Sequence, residues 1–275
     1  MARSTFRYGS AKGMKALAIM YHDVVEPGAA DASGFPGEWA NRYKLETGLF
    51  EQHLAAIRDA LPDRPVDLVD RMEEWRGRRP VFLTFDDGGV SAYTKIADLL
   101  EAHGWRGHFF ITTDYIGRPH FLTRDQIRTL RQRGHIIGSH SCSHPERMSH
   151  CSGPDLRREW NESVKVLAQL LDEPVASASV PGGFYSRKVA EAASEAGIRF
   201  LFTSEPTETA RTVDECLVLG RYFVQSDTLP ETAAGFATGG LMPRYKQAAH
   251  WGLSKLVKRS TGEVYFRLKG ALFRR

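Results

Sequence analysis

Cysteine is scarce in this chain: 275 residues contain three, Cys142, Cys151 and Cys216. An odd number at no finger-like spacing argues against a disulfide framework. Long apolar runs are also missing. The longest uncharged apolar stretch near the start, Ala16 to Tyr21, is far too short to span a bilayer and lacks the core and cleavage site of a secretory leader. A reducing, cytoplasmic setting is therefore the expectation. No Gly-x-Gly-x-x-Gly and no phosphate-loop pattern follows any strand-like run, which weakens a nucleotide-binding reading. There is no internal repeat and no low-complexity linker. What remains is the composition of an ordinary globule, 42% hydrophobic and 25% charged, long enough to bury a proper core.

The net charge of +4 is unevenly placed. From Gly235 onward nine Lys and Arg residues face the single Glu263, so this part carries +8 and everything before it −4. The sequence thus divides into a body, residues 1–234, and a basic extension, 235–275. In the extension Trp251, Leu253, Leu256 and Val257 alternate with lysines. That pattern fits an amphipathic segment resting on an anionic membrane surface, and equally a helix packed on the body. No nucleic-acid motif accompanies it.

Within the body, strand-length apolar runs appear at Leu17–Tyr21, Val81–Phe85, Phe109–Thr112, Ile136–Ile137, Val175–Val180, Phe200–Thr203 and Leu217–Leu219. Helical spacing lies between them. Phe50, Leu54, Ile57 and Leu61 make one stripe, and Ile96, Leu99 and Leu100, closed by Gly104, make a second. Thr123 and Gln126 form a capping box ahead of a third helix that Gly134 ends. Leu156, Trp160, Val164, Leu167 and Leu171 mark a fourth, and Val189, Ala193 and Ala196 a fifth. Repeated strand–helix alternation predicts an α/β fold with a parallel sheet, either a closed or nearly closed barrel or an open doubly wound sheet. The segment Glu26–Lys44, with Phe35, Trp39 and Tyr43, is long enough to act as a functional flap.

Three constellations follow strands, where such folds place their chemistry. Asp86-Asp87-Gly88-Gly89 ends the run Val81–Phe85. Asp-Asp-Gly alone is commonly a turn, but two adjacent carboxylates repel each other and a cation would relieve them. His140-Ser141-Cys142-Ser143-His144 follows the run Ile136–Ile137. Histidines four apart share one face of a helical turn and can grip one metal ion, and with a strand-end Asp they make a three-ligand site with coordination positions left open. Cys142 would face away. His22, after Leu17–Tyr21, is placed as a proton donor, with Asp23 as its orienter.

Thr84-Phe85-Asp86-Asp87-Gly88 together with His140–His144 resembles the first two motifs of the NodB-type polysaccharide deacetylases, carbohydrate esterase family 4, over roughly Leu17 to Val224. The resemblance implies a distorted (β/α)7 barrel, a TIM-like single domain bearing the basic extension. It implies a metal-dependent hydrolase that removes N-acetyl groups from an amino-sugar saccharide, with a divalent cation, most simply zinc. Asp86 becomes the general base, and Asp87, His140 and His144 the metal ligands. Pro181-Gly182-Gly183 resembles the third motif, and with Phe184 and Tyr185 beside it implies a substrate-binding segment; Tyr115 and Phe121 are further aromatics for sugar stacking. The family's Arg two positions before that Pro is replaced here by Ser179, and Arg221 is offered as the substitute cation. The late Leu-x-x-x-His-Asp motif is absent, whereas Ile19-Met20-Tyr21-His22-Asp23 matches it at the start. That order is similar to the circularly permuted poly-N-acetylglucosamine deacetylases and gives His22 the general-acid role. The remaining alternatives are a hydrolase of another linear or cyclic amide and a carbohydrate-binding protein without turnover.

Overall fold

The computed structural model of the chain describes residues 13–252 apart from 63, 65 and 76. In chain order the strands are β1 Leu17–Tyr21, β2 Val24–Val25, β3 Leu45–Glu46, β4 Val81–Phe85, β5 His108–Ile111, β6 Ile136–Ser139, β7 Ser177–Ser179, β8 Phe200–Phe202, β9 Arg211–Val213, β10 Cys216–Leu219 and β11 Tyr222–Phe223. The helices are α1 Glu38–Asn41, α2 Thr47–Ala60, α3 Ala97–Ala102, α4 Arg124–Gln132, α5 Gly153–Leu171, α6 Arg187–Glu195 and α7 Pro230–Thr238. A π-helical turn, Ala92–Ile96, leads into α3.

Nine strands form one curled sheet in the order β11-β1-β4-β5-β6-β7-β8-β10-β9, parallel except for the hairpin partner β9. Its two ends are joined by one stretch of chain. Cys216–Leu219 pairs with β8, and only Gly220 and Arg221 separate it from Tyr222–Phe223, which pairs with β1. A single bent strand thus ties the far side of the sheet back to the first strand. The fold is the distorted (β/α) barrel expected from the sequence.

Side chains alternate across this curved sheet, as the two-residue period of a strand requires. Leu17, Ile19 and Tyr21 of β1, with Val81, Leu83 and Phe85 of β4, face outward onto α2 and α3. Ala18, Phe82, Phe110 and Phe202 fill the interior. Above this aromatic plug the inward positions become polar, with Thr84 and then Asp86 following Phe82 up β4. The lumen is therefore a packed floor, and reactive groups sit only at its carboxyl-end mouth.

α5 begins with Ser152 accepting the Asp155 N–H, and α4 begins with the Thr123–Gln126 capping box in both directions. Two short elements, β2 and β3, pair with each other beside the mouth. The boundary drawn at 234/235 falls inside α7, which packs on α2 and buries Phe236 and Ala237 in the core. Residues 241–252 are helical and also lie on the barrel. There Gln247 donates to the Phe223 carbonyl and accepts its N–H, at 2.8 and 3.0 Å. The rest of the basic extension, residues 253–275, lies outside the described residues. Among the described residues no helix is long and apolar enough to cross a membrane.

Candidate active site

Asp86 and Asp87 leave β4 in different ways. Asp86 continues the inward row of the strand, and its N–H donates to the Tyr21 carbonyl at 3.1 Å. Asp87 adopts φ 76°, a left-handed backbone that breaks the alternation. Gly88 follows at φ 84°, packed so closely on Ile111 that a Cβ would lie 3.3 Å from it. Both carboxylates are buried.

Arg221 meets Asp86 from the barrel's closing strand. Its guanidinium is fully buried and grips the carboxylate bidentately, Nη1–Oδ1 at 2.7 Å and Nη2–Oδ2 at 2.8 Å. Nη1 also donates to Thr84 Oγ1 at 3.2 Å, and Nε to the Thr203 carbonyl at 3.1 Å. Burial alone would raise Asp86, but the charge and hydrogen bonds of Arg221 together with His140 and His22 outweigh it. The carboxyl is held below its ordinary range. Arg221 is thus a partner of Asp86 rather than a surface that substrate can reach.

Ser179, two positions before Pro181, lies between Asp86 and His140. Its hydroxyl donates to Asp86 Oδ1 at 3.1 Å and accepts from His140 Nδ1–H at 2.5 Å; the Ser179 carbonyl is 3.2 Å from the same nitrogen. With Nδ1 held by these two oxygens, Nε2 of His140 faces Asp87 Oδ1, 3.3 Å away. His144 Nε2 lies 3.6 Å from the same oxygen. Burial pushes His144 down to about 4, despite the opposing charge of Asp87. Burial would raise Asp87 too, yet the surrounding histidines hold it well below the usual carboxylate range.

The ligand atoms of Asp87, His140 and His144 all lie within 4.8 Å of one another. Three groups able to offer an electron pair and converging on one point are the arrangement a divalent cation completes, and the Nδ1 hydrogen bond of His140 is the usual outer support of such a ligand. The donor set therefore fits a metal ion.

The two histidines do not share a helical turn, as their spacing had suggested. Residues 140–147 are non-helical, and Ser141 and His144 have φ 64° and 58°. The loop is shaped by side chains that sequence reading passed over. Buried Glu159 of α5 accepts the N–H groups of Cys142 and Ser143 at 3.0 and 2.8 Å, and the Ser143 hydroxyl at 2.8 Å. Ser139 Oγ accepts the Ser141 N–H, and Ser141 Oγ accepts the His144 N–H, both at 3.1 Å. Cys142 turns away and donates to Asp114 at 3.1 Å. The signal for Glu159 was present as a charged residue on the apolar stripe of α5, beside Trp160.

His22 stands at the end of β1, next to the strand that carries Asp86. Its ring packs on Tyr43 with centroids 5.0 Å apart, and its Nδ1 is buried without a hydrogen-bond partner. Asp23 is not its orienter. Asp23 Oδ1 accepts the hydroxyls of Ser33 at 2.5 Å and Ser91 at 2.6 Å, which ties the flap to the loop after Asp87. Burial raises the Asp23 carboxyl against these hydrogen bonds.

The flap lies over the site. Phe35 packs on His144 at 4.9 Å, on Tyr115 at 4.7 Å and on Phe121 at 5.1 Å. Tyr115 and Phe121 therefore serve as the flap's seat. Of the segment after β7, Pro181 is buried and Gly182 is exposed at φ 61°. Phe184 has the Arg147 guanidinium 5.9 Å from its ring centre. Tyr185 is engaged away from the cluster, under Arg211 at 4.8 Å and against the apolar residues around α6. Trp251 is an addition: its Cη2 would be 3.2 Å from a Cβ placed on Gly183.

Residues 74–201 match the family model described as polysaccharide deacetylase. YxkH of Bacillus subtilis (strain 168) is 25% identical over 204 residues, 73% of this chain and 68% of its own. Peptidoglycan-N-acetylmuramic acid deacetylase PdaA of the same organism is 40% identical over 72 residues, a quarter of each chain. The structure of Streptococcus pyogenes deacetylase PplD in complex with acetate superposes with a TM-score of 0.67 at 19% identity, covering 80% of this chain and 96% of that one. The barrel is thus shared with a deacetylase, and the matched segment contains Asp86, Asp87, His140 and His144.

Proposed function

We propose that the chain is a metal-dependent deacetylase that removes N-acetyl groups from an amino-sugar saccharide of the N-acetylglucosamine type and releases acetate. One observation carries the reading: a cation-ready cluster of Asp87, His140 and His144 beside a second carboxylate, Asp86, kept ionised by a buried arginine. The family match over residues 74–201 and the names of relatives such as PdaA support it.

A divalent cation, most simply zinc, would be held by Asp87, His140 and His144 and would supply Lewis acidity toward water and the amide carbonyl. Asp86 takes the proton from the attacking water. Arg221 and Ser179 hold its two oxygens in place, so it acts as a base in a fixed direction. His22, across the mouth, donates a proton to the departing nitrogen, without which the amine is a poor leaving group. Its position on β1, flanked by β4 and the closing strand, is where a circularly permuted barrel would present a late motif. The missing arginine before Pro181 does not favour a binding protein without turnover, because Arg221 reaches Asp86 from another strand.

Acetate release from N-acetylglucosamine oligomers by the zinc-loaded protein, compared with release from small linear and cyclic amides, tests the reading. Release from the oligomers, abolished by chelation and restored by metal, is the expected result. Turnover of the amides alone, or oligomer binding without acetate, would overturn it.

A further inference from the structure

His22 is placed as a proton donor but has no polar anchor. The direction of one ring nitrogen is ordinarily set by a hydrogen bond from the other to a carboxylate or carbonyl. Here Nδ1 is buried with no hydrogen-bond partner, and the adjacent carboxylate, Asp23, is taken up by Ser33 and Ser91. What the imidazole does have is the Tyr43 ring, with centroids 5.0 Å apart and planes tilted by 43°. With Nδ1 sealed inside, Nε2 is the nitrogen left to meet a departing amine.

Tyr43 is fixed where it stands. Two residues on, Leu45 pairs with Val24, itself two residues past His22, and the Leu45 N–H donates to the Asp23 carbonyl at 3.0 Å. Buried Lys44 donates through Nζ to the carbonyls of Ala30 and Phe35, each at 2.7 Å. The loop after the closing strand holds the other side. Ser226 N–H donates to the Arg42 carbonyl at 2.8 Å, and the Gln225 side chain interacts with the Tyr43 hydroxyl. The same loop grips β1 just ahead of His22. Val224 N–H donates to the Met20 carbonyl at 3.0 Å. His53 links the Thr228 carbonyl, 2.8 Å from its Nε2, to the Tyr21 hydroxyl, 3.3 Å from its Nδ1. Gln225 N–H closes the circuit on Thr228 Oγ1 at 2.9 Å. Residues 224–228 thus tie the strand that carries His22 to the ring on which His22 rests.

We propose that Tyr43 is the positioning residue of His22, its clamped ring holding the imidazole with Nε2 toward the leaving nitrogen, as a carboxylate on Nδ1 otherwise would. This rests on the deacetylase reading, in which the amide C–N bond breaks and His22 gives its proton to the sugar nitrogen. An imidazole free to turn would offer that proton along the right line only part of the time, and a misplacement of about 1 Å can cost about 10²-fold in rate.

The test sets metal-loaded full-length protein against Tyr43→Ala, Tyr43→Leu and Tyr43→Phe on two substrates. The N-acetylglucosamine tetramer needs a proton on its leaving amine, whereas 4-nitrophenyl acetate expels a nitrophenolate that leaves without one. Tyr43→Ala and Tyr43→Leu should lower kcat on the tetramer by about 10- to 100-fold, with KM changed by less than about threefold. Ester turnover and metal content should stay close to wild type, and Tyr43→Phe, which keeps the ring, should recover most of the tetramer rate. Added to His22→Ala, Tyr43→Leu should cost little more, because the ring then has nothing to aim. Equal losses on tetramer and ester, or a full additional loss in the double variant, would overturn the positioning role in an otherwise active deacetylase. No acetate from the tetramer with the wild-type protein would instead remove the deacetylase reading and this proposal with it.

Discussion

Asp86 illustrates how one residue's role depends on partners far away in sequence. Its charge is sustained by Arg221, 135 positions later, and its direction by Ser179. Asp86→Asn leaves Asp87, His140 and His144 untouched, so the variant should still bind a stoichiometric cation while losing about 10²- to 10⁴-fold in turnover. Metal analysis alongside an acetate assay checks both halves, and normal turnover would remove Asp86 from the base role. His140→Ala should instead lose the metal, which the same analysis reads directly. Glu159 acts one layer back. Glu159→Ala frees two backbone N–H groups and a hydroxyl in the loop that aims His144, so metal affinity should fall about 10- to 100-fold. Glu159→Gln keeps an acceptor for the backbone and should lose less. A chelator competition gives both values; equal affinities in wild type and the alanine variant would show that the loop holds its shape without Glu159.

At the scale of elements, local signals were read most reliably where they are closed within a few residues. The capping box of α4 is a three-residue device and appears as its residue types predict. The five helical stripes and seven strand runs also became elements, with ends shifted by a residue or two. Short pairings such as β2 with β3 escaped notice because two valines carry no periodicity. The His-x-x-x-His pair was misread as a helical turn because its shape comes from Glu159, which is distant in sequence, and from serine hydroxyls rather than from helix propensity. Asp23 was misassigned for a similar reason. Adjacency to His22 suggested a partner, whereas strand alternation turns it toward Ser33 and Ser91. That placement explains two glycines. A Cβ on Gly89 would lie 2.0 Å from Asp23 Oδ1 and one on Gly34 2.1 Å from Oδ2. Because Asp23 is pinned by two hydroxyls, Gly89→Ala should cost about 1–3 kcal/mol. Urea unfolding of the variant, alone and combined with Asp23→Ser, checks this: the double variant should lose less than the two single losses together.

At the scale of the whole molecule, two histidines that take no part in the proposed chemistry should make the fold sensitive to acid. His108, fully buried, accepts the Val69 N–H at 3.2 Å and has the Leu83 carbonyl 3.2 Å from its other nitrogen. Burial pushes it down to about 4. His135 is also pushed to about 4 by burial, against the pull of Glu101 at 2.9 Å and with Arg106 and Arg133 adding to the depression. In the unfolded chain both return to near 6.5. Between about pH 6.5 and pH 4 the unfolded state therefore binds more protons, and stability falls as pH falls, by up to about 1.4 kcal/mol per pH unit for each proton. Their contribution is complete above pH 6.5, where both states are neutral, and levels off below pH 4, where both are charged. The urea midpoint of the metal-loaded protein should hold steady from pH 8 to 7 and then decline toward pH 4.5. His135→Gln, which removes one of these depressed imidazoles, should make that decline visibly shallower even though it loses stability at neutral pH. A variant whose midpoint still falls as steeply as wild type would place the acid sensitivity in other groups.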